Sequence, residues 1–257
     1  LTKIHPTALV DAEAQLGQDV QIGPYAIIEK KVQIGDGSTV GPHAVLAQGT
    51  TIGKNCKISP GAVLGTVPQD LKFNDEETFV VIGDNTTIRE YATVNRATDY
   101  SYYTRVGNDC LLMAYSHVAH DCKLGDHVVI ANSVNMAGHV VIGDYVGVGG
   151  LTAIHQFVHI GAHSFIGGGL RVSKDVPPFI LAMGEPLKYG GLNVIGLKRR
   201  GFSDEALKEI KRAFNVLYRQ KLTFKEAISE IEENFQPLPE ILTLLEFLKG
   251  SERGVIR

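Results

Sequence analysis

Every sixth residue from Ile4 onward is aliphatic: Val10, Leu16, Ile22, Ile28, Ile34, Val40, Leu46, Ile52, Ile58 and Leu64 follow in turn. The phase resumes at Ile82, Ile88 and Val94. It runs again from Val106 through Leu112, Val118, Leu124, Ile130, Met136, Ile142, Val148, Ile154, Ile160 and Ile166 to Val172. Asp70, Glu76 and Tyr100 break it, so 26 of the 29 positions in phase are aliphatic or Met and chance is no rival. A period of six fits neither a 3.6-residue helix nor a heptad. Glycine often follows the aliphatic residue, as in Ile22-Gly23, Ile34-Gly35, Ile52-Gly53, Ile142-Gly143 and Ile160-Gly161, and that frequency would weaken a helix. A short strand, one inward aliphatic side chain and a Gly-permitted corner satisfy the pattern. Three such units per coil give a triangular prism, a parallel β-helix with strands stacked ~4.8 Å apart around an aliphatic column.

The breaks fall in two stretches, 67–80 (VPQDLKFNDEETFV) and 97–104 (ATDYSYYT). Both keep the overall phase, so they are expected to project from the prism as loops without ending it. Loops on a rigid scaffold commonly carry function, and the Asp70/Lys72 pair in the first favours that over simple decoration.

The pattern stops at Val176-Pro177-Pro178, which divides the chain into a β-helical domain, 1–178, and a C-terminal helical domain, 179–257. Ser203 is placed to cap a helix carrying Leu207, Ile210, Phe214 and Leu217 on one face. Thr223 and Glu226 form a capping box for a second helix with Ile228 and Ile231 inside. Pro239 opens a third, with Gly250 as its stop. Three short helices enclose little core of their own, so they are expected to cap the prism and shield its last coil.

Composition narrows the function classes. A net charge of −3 argues against nucleic acid as a partner. No apolar run approaches the ~20 residues that cross a bilayer. The opening LTKIHPTALVDA lacks the features of a signal peptide, so the chain reads as cytoplasmic. Cys56, Cys110 and Cys122 fit neither a disulfide framework nor a metal knuckle and read as reduced structural thiols.

Seven of the nine histidines lie between 117 and 163. Residues 18 apart occupy equivalent places on successive coils, so His120, Gly138 and Gln156 share one column. Asp121, His139 and Phe157 share the next. His117 lies half a repeat before His120, near the same corner. A base, a side-chain-free backbone N–H and a polar amide on one edge make an acyl-transfer constellation, because base and oxyanion donor must face one carbonyl. His127, His159 and His163 read as decoration of the repeat. Zinc bound by histidines of adjacent coils is the rival reading, although no local motif such as HExxH is present.

The segments SHVAHDC (116–122), AGHVVIGD (137–144), AIHQF (153–157), DVPPF (175–179) and GLKRRGFS (196–203), with VPQDLKF (67–73) and the ending RGVIR (253–257), resemble the UDP-N-acetylglucosamine O-acyltransferase family of hexapeptide-repeat transferases, which act first in lipid A synthesis. The resemblance spans the chain. It implies a left-handed parallel β-helix with a C-terminal α-helical domain, a homotrimer with sites between subunits, and acyl carrier protein and UDP-GlcNAc as partners. It also implies no metal and no cofactor beyond the carrier's phosphopantetheine arm. His120 looks like the general base, Asp121 its orienting partner and Gly138 the oxyanion donor. Asp70, Lys72, His117, His139, His155 and Gln156 resemble residues holding the nucleotide sugar. Asn193, Arg199 and Arg200 resemble contacts to donor or nucleotide phosphates, and the Lys198-Arg199-Arg200 cluster suits an acidic carrier. Gly168 matches the position that sets acyl length, with Phe165 beside it. Its phase differs from that of His120, so a groove touching both is most easily made between two subunits. Ile195 stands where the family often has Glu, and Asn95 and Ala97 lie where it often reads HRGT. Either departure could signal a 3-amino sugar as acceptor. The related N-acyltransferase of the same pathway, a γ-class carbonic anhydrase and a non-catalytic scaffold are the other readings.

Overall fold

The computed structural model describes all 257 residues. Its 28 strands, most of them two residues long, form three parallel sheets that are the faces of a left-handed triangular prism. The first face has eleven strands and begins at Lys3–Ile4; the second has nine, from Leu9–Val10 to Arg171–Val172; the third has eight, from Gln15–Leu16 to His159–Ile160. Ile4 pairs with Ile22 and Val10 with Ile28, which sets one coil at eighteen residues.

Two insertions interrupt that spacing. Ile58 pairs with Ile88, thirty residues on and so twelve more than a coil. Val94 pairs with Val118, twenty-four residues on and six more than a coil. Both excesses are whole multiples of six, so the inward set stays inward, where a slip of one residue would turn every side chain over. The loops are shorter than the sequence suggests. Phe79–Ile82 and Tyr103–Val106 are already strands and pair with each other, leaving 67–78 and 96–102 outside the sheets.

The in-phase side chains fill the interior; Ile28, Leu46, Leu64, Ile88, Val118 and Ile130 are at most 1% exposed. Each burial contributes about 1.5–3 kcal/mol. A second interior column lies two residues earlier, at Val20, Ala26, Val32, Ser38 and Ala44, all fully buried, and continues along the prism. The three cysteines belong to it. Cys56, Cys110 and Cys122 are free and buried, and burial pushes the Cys110 and Cys122 thiols up to about 11 and about 12. They are small fillers of the prism's corners, unreactive at neutral pH.

The glycines serve a different purpose from the one expected. In Ile22-Gly23 and Ile142-Gly143 the corner conformation is not at that glycine; the residues two positions further on, Tyr25 and Tyr145, take the positive φ near 60°, as His43 and His139 do at their own corners. The glycine stands where coils touch. A Cβ on Gly35 would lie 2.6 Å from the carbonyl carbon of Gly53. Left-handed φ costs a non-glycine residue roughly 1–2 kcal/mol. A backbone bond to the preceding coil, as from His43 N–H to the Pro24 carbonyl, and ring stacking along the corner offset that cost.

The C-terminal region opens on a hairpin before any helix. Ile180–Met183 continues the first face beside Phe165–Ile166 and turns back antiparallel onto Lys188–Leu192. Four helices follow, one more than expected: α1 (Val194–Arg199), α2 (Asp204–Arg219), α3 (Phe224–Asn234) and α4 (Pro239–Gly250). The sequence concealed α1 because it is six residues long and capped by Asn193 rather than by an amphipathic run. Ser203 caps α2, and Thr223 with Glu226 closes a full capping box on α3. Residues of α2, α3 and α4 join those of the prism in one continuous core, and Tyr189 of the hairpin stacks on Phe214 and Tyr218 of α2. The final residues return to the prism, where Asp175 bridges Val255 and accepts a hydrogen bond from Ser251.

Candidate active site

His120 follows the second-face strand His117–Val118 at a corner, and Asp121 takes the left-handed corner conformation with φ 60°. The local turn therefore points both side chains to one edge. His120 Nδ1 lies 2.8 Å from Asp121 Oδ2; the two side chains are 12% and 0% exposed. Nδ1 is thus engaged by the carboxylate, which leaves Nε2 as the nitrogen that can take up a proton.

Gly138 sits one coil on, in the same column. A Cβ there would fall 2.5 Å from His120 Cε1 and 2.6 Å from Nε2, so the absence of a side chain is what lets the imidazole lie over this backbone. The Gly138 carbonyl accepts from Phe157 N–H, while its own N–H donates to no acceptor of the chain. Gln156 completes the column at the surface, and His155 beside it is also exposed.

Asp121 is the best-held carboxylate of the protein. Its Oδ2 accepts from Thr98 Oγ1 at 2.7 Å and its Oδ1 from Ser101 Oγ at 2.5 Å. Backbone N–H groups of Thr98 and Ser101 add longer bonds. Burial alone would raise this acid, but the bonds from His120, Ser101 and Thr98 outweigh it and hold it at about 2. At neutral pH it is ionised.

The neighbouring imidazoles are kept neutral. His117 Nδ1 is 2.7 Å from Thr93 Oγ1, and burial, then His120, lowers its pKa. His139 stacks flat on Phe157 at 4.3 Å and meets the edge of Tyr100 at 4.5 Å. Its Nδ1 is 3.9 Å from Asp121 Oδ2 and has no hydrogen-bond partner. Burial lowers its pKa, Asp121 opposes this, and Asp70 is close enough to act in the same sense as Asp121. A cleft of about 650 Å³ is lined by Asp121, His139 and Phe157 and runs past Arg105 and Lys123 on the third face; His117, His120 and Gly138 do not line it. A larger cavity of about 810 Å³ lies over the earlier coils, between Glu13, Lys31, Glu76 and Arg96, and contains none of the histidines.

The match to known families follows from these same coils and tail. A family model described as "Udp N-acetylglucosamine O-acyltransferase; Domain 2" matches residues 175–256, and one for the bacterial transferase hexapeptide (six repeats) matches 13–48, 31–66 and 103–138. The acyl-[acyl-carrier-protein]–UDP-N-acetylglucosamine O-acyltransferase of Sulfurihydrogenibium sp. is 53% identical, over 99% of this chain and 94% of its own. Its namesake from Thermodesulfovibrio yellowstonii is 46% identical over the full length of both. The chain belongs to the UDP-N-acetylglucosamine O-acyltransferase family. The crystal structure of the Bacteroides fragilis UDP-N-acetylglucosamine acyltransferase superposes with a TM-score of 0.96 at 42% identity, covering 99% of this chain and 100% of that one.

Within this member of the family, the structure brings His117, His120, Asp121, Gly138, His139 and Gln156 to one corner, with Asp70 in reach. The remaining candidates lie elsewhere on the chain. Lys72 is exposed in the 67–78 loop, its N–H held by Asp70 Oδ1. Gly168 packs against Gly150 at another corner, and Phe165 lies over Gly147 on the first face. Asn193 is 9% exposed; its side chain caps α1 and donates to the His163 carbonyl. Arg200 donates to the Tyr145 carbonyl and lies over that ring, at a third corner, while Arg199 is exposed at the end of α1. Ile195 is 69% exposed on that helix. Asn95 and Ala97 are buried; Asn95 Nδ2 ties its strand to Thr66 and Val67 at the root of the first loop.

Sequence reasoning missed Thr98, Ser101 and Thr104: hydroxyl residues are dense in 98–104, but nothing in their spacing points to Asp121. His120, Asp121 and His139 offer ligand atoms all within 4.8 Å of one another. Both Asp121 oxygens, however, are occupied by hydroxyl, N–H and imidazole donors, which a cation would have to displace.

Proposed function

We propose that the protein transfers an (R)-3-hydroxyacyl group from acyl carrier protein to the 3-hydroxyl of UDP-N-acetylglucosamine, the first step of lipid A assembly. One observation carries the reading: the ring of a His120–Asp121 pair lies against Gly138, whose backbone N–H donates to no acceptor of the chain. The relatives' names supply donor and acceptor.

In the proposed reaction His120 Nε2 takes the proton of the sugar hydroxyl as that oxygen attacks the thioester carbonyl. Asp121 remains ionised and stabilises the imidazolium. The tetrahedral oxyanion accepts the Gly138 N–H, an interaction worth ~3–4 kcal/mol in comparable enzymes. Collapse breaks the carbon–sulfur bond, and His120 returns its proton to the departing thiolate. The reading includes no cofactor beyond the phosphopantetheine arm of the donor and takes the reaction to be cytoplasmic.

The working unit of this reading is a homotrimer. Gly168, Asn193, Arg199 and Lys72 belong to the site only if a second copy presents them to His120. The exposed corner formed by Tyr25, Tyr91, Tyr115 and Leu151 offers an apolar edge for that contact.

The test is a mass-spectrometric assay of product from UDP-GlcNAc and its 3-amino analogue with a ladder of (R)-3-hydroxyacyl carriers. An O-acylated product is expected. An amide formed only from the amino sugar would move the acceptor from oxygen to nitrogen. No product from either sugar would overturn the reading.

A further inference from the structure

The 96–102 insertion does not simply project toward a substrate. It folds back onto the catalytic pair. Tyr102 N–H donates to the Thr98 carbonyl, closing a turn, and the turn directs two hydroxyls and two N–H groups at a single carboxylate. On the far side Thr104 Oγ1 accepts the Asp121 N–H at 2.9 Å, so the backbone of the acid is fixed as well. Thr98 Oγ1 accepts from Tyr100 N–H, which commits its one proton to Asp121. Ser101 Oγ has the Tyr103 carbonyl at 3.1 Å as an alternative, but the 2.5 Å contact to the charged oxygen is the stronger.

We propose that Thr98 and Ser101 are positioning residues of the acyl transfer: they lock the Asp121 carboxylate against His120 and share its negative charge, so that the imidazole is aimed at Gly138 without being held in its protonated form. This rests on the acyl-transfer reading of the same site.

The physical basis is competition for one carboxylate. An ionised acid facing only an imidazole holds the imidazolium strongly. Each hydroxyl donor takes up part of that charge and weakens its hold on the proton of His120, while the geometry stays fixed. The low value of Asp121 agrees with this arrangement. Sequence gives no hint of it: Thr98 and Ser101 lie 23 and 20 residues before Asp121, and the six-residue insertion alone brings them together.

The experiment compares Thr98→Val and Ser101→Ala with the conservative Thr98→Ser and Ser101→Thr, through the pH profile of kcat/KM for UDP-GlcNAc. In the first two the acid limb is expected to move to higher pH by about half a unit or more, and in the double variant further. The conservative pair restores the wild-type limb. Other titratable and charged groups facing the pair stay in place: His117, His139, Asp70 and the Cys122 thiol around it, with Arg105, Lys123 and His159 on the third face, and Asp175, Glu252 and Arg253 beyond them. Lower rates at every pH with an unmoved limb would make the loop merely structural and overturn the proposal, as would variants indistinguishable from wild type. NMR titration of the His120 ring in the free protein gives a second readout. It tests the cradle even if acyl transfer itself is not found, so the two failures are separable.

Discussion

Two corners of the same coils can be set side by side. At one, Asp121, His139 and Phe157 follow each other at eighteen-residue spacing; at the other, His127, Tyr145 and His163 do. All six residues take φ between 57° and 62°. The rings stack in both: His139 on Phe157 at 4.3 Å, His127 on Tyr145 at 4.4 Å, Tyr145 on His163 at 4.9 Å. Ring stacking at a left-handed corner is therefore a property of the repeat and says nothing about chemistry. What separates the corners is the carboxylate in the first stack, the loop that cradles it, and the glycine beside it that leaves room for His120. At the second corner Phe202 of the tail packs edge-on against His163, and Arg200 covers Tyr145. One corner is opened to a cleft while the other is closed by the helical domain.

The sharpest way to break the distinction is to remove the proposed base. His120→Ala is expected to lower kcat by about 10²–10⁴-fold, with β-content by circular dichroism and oligomeric state unchanged. Activity within a few-fold of wild type would return the first corner to the status of the second. Gly138→Ala comes next. The new methyl must displace the His120 ring, so kcat is expected to fall about tenfold or more, while the thermal midpoint moves by only a few degrees. If kcat held and the protein unfolded instead, the glycine would be there for packing alone.

The sequence made the prism legible because its inward side chains recur with a strict period, and even the insertions respect it. It made the His120–Gly138 column legible for the same reason: stacking converts spacing into contact. It misled at the glycines, where close approach of coils such as Gly35 to Gly53, rather than φ, excludes a side chain. It was silent on α1 and on the Thr98–Ser101 cradle. Both depend on contacts outside the period, the first on an Asn193 cap and the second on a loop closing over a distant acid. Arg200 shows the limit from the other direction. The motif around it is plain to read, but its place in the fold, against Tyr145, follows from the packing of the tail.

One substitution made at both corners sharpens the comparison further. Phenylalanine preserves the stack and removes the ring nitrogens. His139→Phe is expected to raise KM for UDP-GlcNAc about tenfold, as the loss of one or two hydrogen bonds to substrate would, whereas His163→Phe leaves kcat/KM within about twofold. Equal losses at both corners would mean that His139 acts through packing.

His163→Phe has a smaller and different signature, read in stability against pH. Burial first, then Arg200, with Asp144 opposing, holds His163 down at about 4, and its Nδ1 is buried without a partner. The folded protein thus keeps this imidazole neutral while the unfolded chain takes up a proton near its ordinary value of 6.5. The unfolded state binds more protons in that window, so stability rises with pH there. The contribution is fully present above about 6.5 and is lost as pH falls toward about 4. Phenylalanine cannot titrate and leaves no unsatisfied nitrogen, so the variant should melt a few degrees above wild type at pH 5 and close to it at pH 7.5. His117 and His139 are also lowered and supply the slope that remains. A variant whose pH dependence matched wild type would show that His163 is already charged in the folded protein, and the second corner would then be less closed than its packing implies.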